Sequence, residues 1–393
     1  VQRLKIIKKG KFSRRGFITV VGGGIVLAAG AATFLSLRNG IPKEALEAWD
    51  GPDAGEDLRR KLVSYAILSP SPHNLQSWRV QFFGTNGIRL FVDPTRLIPE
   101  VDQEARQIMV AQGCFLETLV VAAGHLGYAA DVSLFPDGPV REDLAKRPVA
   151  EILLTKATIP ADPLFDQILH RKTSRAPFDQ KHLVSQTELN QLTAVRVPTS
   201  IEVAGTINAE EVRQLTALAI SSNEVECDTA RTRNETVDHI HIGASEIAKN
   251  REGISIAGTG VWWASHLGLL SNAAMRDPST KSFASLKTMV EDAAKSSHAY
   301  LWIKSRTNSP EDQIAAGRAW VRLTLQATRQ GLMAHPLSQA LEEFDEMTPQ
   351  HVKMRQLTEC KDKETIQMFA RLGYGAGGEH SPRRRLASFI TSA

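Results

Sequence analysis

The sequence predicts an α+β fold assembled in two rounds. Three features carry that prediction: a strand–turn–strand signal near the start, two long amphipathic helices, and a set of residues those helices share at one constant offset. Residues 39–55 form a linker, broken by Asn39-Gly40-Ile41-Pro42 and Gly51-Pro52-Asp53. Leu58, Leu62, Tyr65 and Ala66 recur at helical spacing, and Ser69-Pro70-Ser71-Pro72 stops that helix. Trp78–Phe83 and Ile88–Val92 are predicted strands around the hairpin turn Gly84-Thr85-Asn86-Gly87. A long helix follows over 104–125, with Ile108, Ala111, Phe115, Leu119, Ala122 and Leu126 on one side. Short strands are predicted near 131–135 and 149–154.

A second round begins near Asp162. Leu164, Ile168 and Leu169 predict a helix leading into a basic turn at 171–175. Strands are predicted at 201–205 and 298–303, with helices over 209–222 and 229–249 between them. The segment 254–270 carries Trp262-Trp263 and few charges. A long helix over 311–329 closes on Gly331, and a last helix is predicted over 361–371, ending at Gly373. Gly113, Leu116, Leu119, Ala123 and Gly127 match Gly317, Trp320, Leu323, Ala327 and Gly331 at a constant offset. That match predicts an internal duplication, with halves at 56–160 and 161–393.

Residues 1–38 have the layout of an export signal. Lys5, Lys8, Lys9 and Lys11 precede Ser13-Arg14-Arg15-Gly16-Phe17-Ile18, no acid occurs before Glu44, and Phe17 to Leu37 is uncharged. The arginine pair in that setting resembles the bacterial twin-arginine signal. The expectation is export by the twin-arginine translocase to the periplasm or another extracytoplasmic space. Ala29-Gly30-Ala31 offers a cleavage site; an uncleaved run is about long enough to anchor the chain in a membrane.

Composition sets the remaining bounds. The 393 residues carry a net charge of +4, much of it in the leader, and 23% are charged, as in an ordinary globular protein. No basic patch interleaved with aromatics supports nucleic-acid binding. Cys114, Cys227 and Cys360 are too far apart for a disulfide framework or a CxxC site, and Cys114 sits on an apolar helical face as a packed hydrophobe. His239 and His241, two apart with no third ligand nearby, make no metal site. The expectation is no metal.

Three stretches carry chemistry. Ser71, His73, Asn74 and Gln76 lie in a polar loop where a helix ends and a strand begins, beside Trp78 as an apolar platform. Their donors and acceptors suit a flat heterocycle, and they equally suit a satisfied backbone connection. Arg171, Lys172, Thr173, Ser174 and Arg175 gather cations and hydroxyls, as phosphate sites do, or make a solvated basic turn. Gly373-Tyr374-Gly375 opens a glycine-rich turn that leads to Arg383, Arg384 and Arg385.

In this order, the Pro-Ser-Pro-His-Asn-Leu-Gln-Ser-Trp loop at 70–78, the Arg-Lys-Thr-Ser-Arg-Ala-Pro-Phe turn at 171–178 and the tail resemble the nitroreductase-like FMN-binding proteins. The stretch 331–339, with Pro336, resembles that family too. More narrowly, the likeness is to the Acg-type branch, with two nitroreductase-type halves fused in one chain. The resemblance implies a three-layer nitroreductase-like fold, with mixed, mainly antiparallel sheets flanked by helices and two pseudo-symmetric halves. It implies FMN at the interface of the halves. Arg171, Thr173 and Arg175, with Arg383 or Arg384, would hold its phosphate. Ser71, His73, Asn74 and Gln76 would face the ring and ribityl chain, with Pro336 near the ring. Ser77 replaces a common proline and Ala176 a frequent arginine, which loosens the loop and removes one basic contact. The implied reaction is a ping-pong hydride or electron transfer through flavin N5, from a small-molecule donor to an acceptor such as a nitro compound or quinone. The alternative is a non-catalytic protein that sequesters FMN under a lid. The chain is expected as a monomer or homodimer.

Overall fold

The computed structural model describes residues 40–53, 55–138, 144, 146–375 and 378–391. The basic leader with its arginine pair lies outside the described residues. Helix α1 (Leu58–Ala66) begins at Asp57, whose carboxylate accepts from the Arg59 amide at 2.9 Å. Strands β1 (Trp78–Phe83) and β2 (Gly87–Val92) pair as the predicted hairpin, Trp78 opposite Val92. Helix α2 (Arg106–His125) has no side-chain cap of its own. The carboxylate of Asp102 supplies one, accepting from the amides of Gln107 at 2.9 Å and Ile108 at 3.1 Å. Strands β3 (Tyr128–Leu134) and β4 (Ala150–Lys156) follow.

In the second half, α3 (Gln186–Thr193) starts at a Ser185–Glu188 capping box, β5 spans Ile201–Thr206, and Asn208 caps α4 (Ala209–Asp228). Then come α5 (Ala230–Asp238), β6 (Ile240–Ile242), α6 (Ala244–Asn250), β7 (Ile254–Ile256), α7 (Thr259–His266), α8 (Asn272–Arg276) and α9 (Lys281–Lys295). The chain closes with β8 (Ala299–Ser305), α10 (Pro310–Arg329), β9 (Met333–Pro336), α11 (Thr348–Leu357), β10 (Thr365–Gly373) and β11 (Ile390–Thr391).

The fold is α+β. One sheet runs β11-β1-β2-β4-β3, antiparallel except for the parallel β1–β11 pair; the other runs β5-β8-β10-β9, antiparallel throughout. The two short strands β6 and β7 pair parallel by themselves. The tail therefore returns to the first half, since β11 completes the first sheet.

Five sequence expectations change. The helix expected over 361–371 is strand β10. Its residues are buried on both sides, Gln367 and Arg371 included, so no alternation marked it as a strand. The helix expected over 229–249 breaks after Asp238, because Ile240–Ile242 pair with Ile254–Ile256 and Gly243, at φ 83°, restarts the chain as α6. The helix near Leu164 is a single 3-10 turn, Phe165–Gln167. The helix from 209 runs on to Asp228. Trp78 is fully buried in the core, with its ring N–H given to the Ala111 carbonyl at 3.1 Å, so it is no platform for a ligand.

Two glycines set how the two long helices meet. Helices α2 and α10 cross where a Cβ on Gly113 would stand 2.1 Å from the Ile314 carbonyl oxygen, and one on Gly317 1.9 Å from that of Val110. The Cys114 thiol reaches the Gly317 carbonyl at 3.2 Å. Glu117 on α2 accepts from Arg318 at 2.6 Å and Arg322 at 2.9 Å on α10, and Arg322 also binds Asp162 at 2.8 Å. Helix α2 is long and apolar enough to cross a membrane, but here it is the buried core helix. Gly317→Ala is expected to lower stability by about 1–3 kcal/mol or more, although alanine favours helix over glycine by roughly 1 kcal/mol. A thermal melt unchanged from that of the native chain would mean the helices can separate without cost.

Candidate functional site

The helix α1 ends at Ile67, Leu68 and Ser69 with carbonyls that lack helical partners. Arg383 from the tail takes them: Nε donates to Ile67 O at 2.7 Å, Nη2 to Leu68 O at 3.0 Å and Ser69 O at 3.1 Å, and Nη1 to the Asn74 side-chain oxygen at 2.8 Å. Arg383 is 3% exposed, and its guanidinium lies 4.9 Å from the Trp49 ring centre. Trp49 in turn stacks on His380 and donates to Ser381 O at 2.9 Å. Burial and the nearby Arg171 hold the Arg383 pKa well below its ordinary value.

The loop after this clamp is strained. His73, Asn74 and Gln76 all have left-handed φ, at 45°, 55° and 55°. Asn74 Nδ2 donates to Gly253 O at 3.3 Å and Pro382 O at 3.1 Å. Gln76 is fully buried: Nε2 donates to Arg251 O at 3.0 Å, and Oε1 accepts from the Arg384 amide at 2.9 Å. Arg384 Nη2 donates to Gln76 O at 2.7 Å, and its Nε lies 3.4 Å from Glu252. Ser71 Oγ accepts from the Gln76 amide at 2.9 Å. The loop thus ties the first half to the tail and to the 251–253 turn.

Behind it lies a cavity of about 270 Å³. Of the residues expected at a site, Ser71, His73, Asn74, Arg171, Thr173, Arg175, Pro336 and Arg383 line it; Gln76 and Arg384 do not. Those two are spent on the loop-to-tail joint. Asn74 and Arg383 reach the cavity wall with their polar groups already committed to protein partners.

The groups that remain free are few. Arg171 gives one N–H to Leu68 O at 2.9 Å, and burial pushes its pKa down to about 10. Arg175 has no hydrogen-bond or ion-pair partner among the described residues. It lines the cavity and also keeps open surface, and desolvation lowers its pKa. His73 Nδ1 is buried without a partner. Burial, then His239 and Arg175, depress its pKa to about 3.

His335 and Arg371 complete this end and were not singled out in the sequence. Arg371 is fully buried; Nη1 donates to Ala293 O at 2.8 Å and Nη2 to Ala176 O at 2.7 Å, which pins the basic turn. Its Nε donates to His335 Nδ1 at 2.9 Å. An arginine only donates, so His335 carries its proton on Nε2. Burial, then Arg371 and Arg175, hold His335 neutral. Its Nε2–H is a neutral donor on a wall with a free guanidinium. The lone basic residue inside strand β10 was the available signal, since a mid-strand arginine must find acceptors.

Cys114 lines the cavity as a packed thiol whose pKa burial raises, in keeping with a hydrophobe and not a nucleophile. Among the described residues no cluster suits a metal ion.

No family model matches the chain. Among curated proteins, two of Mycobacterium tuberculosis are similar to it. One, from strain CDC 1551 / Oshkosh, bears the name "Putative NAD(P)H nitroreductase" and is 32% identical over 127 residues, 32% of this chain and 35% of that protein. The other, an uncharacterized protein of strain H37Rv, is 31% identical over 125 residues, 31% of this chain and 36% of its own. The chain thus matches about a third of the length of these relatives. The chain is similar to nitroreductase-like proteins. Among solved structures, a nitroreductase-like family protein from Bacillus cereus matches 59% of this chain and 96% of its own at 11% identity, with TM-score 0.34. A nitroreductase with bound FMN from Bacteroides fragilis matches 59% and 98% at 11% identity, with TM-score 0.35.

His73 gives a pH signature. Unfolded, it takes a proton near its ordinary pKa of 6.5; folded, only near 3. Between these values the unfolded chain binds more protons, so stability is full above about pH 6.5 and falls as pH drops towards 3. His73→Asn, which tolerates the left-handed backbone, is expected to lessen that acid-side loss by at most a few kcal/mol. Thermal melts of both chains across this pH range test it, and parallel profiles would refute it.

Proposed function

We propose that the chain is an FMN-binding oxidoreductase of nitroreductase type, which passes reducing equivalents from a nicotinamide donor to a small acceptor such as a nitro compound or quinone. One observation carries this reading: Arg175, a cation with no protein partner, faces the same cavity as Arg171, Thr173 and the orphaned His73 nitrogen. Such a cluster suits an anion with further acceptors. The order of the sequence motifs and the curated relatives' nitroreductase name support FMN as that group.

The residues present fit the cofactor. Arg175, Thr173 and the free N–H groups of Arg171 would hold its phosphate. Arg383 would act behind them, as the clamp that sets the wall. His335 offers a neutral N–H donor, and His73 one unpaired ring nitrogen, towards the polar edge of a flat ring. When bound, FMN supplies the redox chemistry, while the protein sets its position and surroundings. Val110, Leu337 and Met368 give the cavity apolar lining. No side-chain acid or base is assigned.

The second reading, storage of FMN under a lid, draws on the insertion between β5 and β8. Its residues Val237, Ile240, Ile254 and Met289 form one wall of the cavity. We further infer that the two halves arose by duplication, on the strength of the shared helix residues and the Gly113–Gly317 crossing.

Arg175→Ala is expected to weaken FMN binding roughly ten- to hundredfold, from the loss of charge-assisted bonds. Flavin absorbance after gel filtration reads this out, and full retention would sink the phosphate assignment. On the holoprotein, bleaching by NADPH under anaerobic conditions supports turnover; bleaching by dithionite alone supports storage or another donor.

The twin-arginine reading makes the product an exported protein that acquires its cofactor before translocation. Lysine at both Arg14 and Arg15 is expected to leave the chain in the cytoplasm, as fractionation would show. Unchanged export of that variant would overturn the route.

A further inference from the structure

The cavity has a second polar end, which the basic turn does not use. Glu226, in the last turn of α4, and Glu342, after β9, both line it and are 5% and 6% exposed. Glu226 Oε1 accepts from Thr236 Oγ1 at 2.7 Å. Glu342 Oε2 has no partner among the described residues, and neither has Oε1 of Gln339, on the same wall. Two buried acceptors therefore wait for donors.

The nearby cations do not supply them. Arg233 lines the same end at 8% exposed, but its Nη1 goes to the Cys227 carbonyl at 2.7 Å and its Nε is itself unpartnered. Arg106 is spent on Glu343 at 3.2 Å, Gln367 O at 2.8 Å and Leu341 O at 2.9 Å. Burial, then Glu226 and Asp102, push the Glu342 carboxyl well above the usual range; Arg106 opposes this and Glu235 adds to it. The wall between the two ends is apolar, formed by Val110, Val237, Ile240, Ile254, Met289 and Leu337.

We propose that this carboxyl end is a subsite for a second ligand, an apolar-bodied molecule carrying a cationic nitrogen with N–H donors, an amine or amidine. Its role as the place of the electron acceptor rests on the function proposed above; its binding does not. An amidine presents two N–H groups to Glu342 Oε2 and Gln339 Oε1 and a positive charge to Glu226 and Glu342. A neutral amide meets the acceptors without the charge, and an anion is repelled. The Glu342 O–H bond breaks as the cation binds, and the proton passes to solvent, so binding releases protons.

Titration calorimetry with benzamidine, benzamide and benzoate, on the chain with and without FMN, tests the proposal. Benzamidine is expected to bind at least about tenfold more tightly than benzamide and benzoate, with a heat that depends on the buffer's ionisation enthalpy. E342Q is expected to weaken benzamidine roughly ten- to hundredfold and to change benzamide about twofold at most. Equal affinities for benzamidine and benzamide, a preference for benzoate, or an E342Q chain that binds benzamidine as before would each overturn it. Should E342Q not fold, the three probes on the native chain decide alone. FMN retention is read separately by absorbance. FMN kept without selectivity for benzamidine defeats this inference alone, and selectivity without FMN defeats the flavin reading alone.

Discussion

The crossing of α2 and α10 at Gly113 and Gly317 is the contact on which the rest of the molecule depends. The two helix backbones approach so closely that a methyl group on either glycine would meet a carbonyl oxygen. Close approach brings Val110 and Cys114 of one helix and Trp320 of the other onto one cavity wall. Glu117, held by Arg318 and Arg322, fixes the rotation of one helix on the other. Each sheet packs on its own helix, so the crossing also sets how the two sheets are placed.

A second constraint follows from the backbone. A helix that ends in the core leaves carbonyls that must be met. Arg383 meets them at Ile67, Leu68 and Ser69 and is thereby removed from ligand chemistry. Arg371 does the same for the basic turn through Ser174 and Ala176. These two buried arginines act as braces, whereas Arg175 has no protein partner among the described residues. The distinction between bracing and binding arginines lies in acceptor supply: each brace is surrounded by carbonyls, whereas Arg175 meets none.

The cavity that results has unlike ends. Near the basic turn, cations and neutral histidines predominate; near Glu226 and Glu342, buried carboxyl groups with an unmet acceptor do. Apolar side chains separate them and keep the dielectric low, which strengthens the preference of each end for opposite charge. The segment between β5 and β8 contributes to the cavity lining through Arg233, Val237, Ile254 and Ile256. Its two short strands form a sheet apart from the two large ones.

The sequence by itself determined the local structure whose signals are local. The β1–β2 hairpin, α1, α2 and α10 were legible because caps, turns and periodicity are written within a few residues of each element. So was the gathering of Arg171, Thr173 and Arg175 in one turn. The strand β10 was not, since burial on both faces hid its alternation, and the 230–256 region was not, since pairing between Ile240–Ile242 and Ile254–Ile256 overrides helix preference. Which polar residues are free to bind was decided only by the tertiary structure. Gln76, Asn74, Arg383 and Arg384 look like ligands in sequence, but the joint between loop and tail uses them up. His335 was not marked out within the 331–339 stretch and Glu226 and Glu342 lay in no motif, and all three acquired their character from burial beside distant partners. A side chain's type is fixed by the sequence, but its unmet hydrogen bonds and its charge are properties of what the fold packs around it.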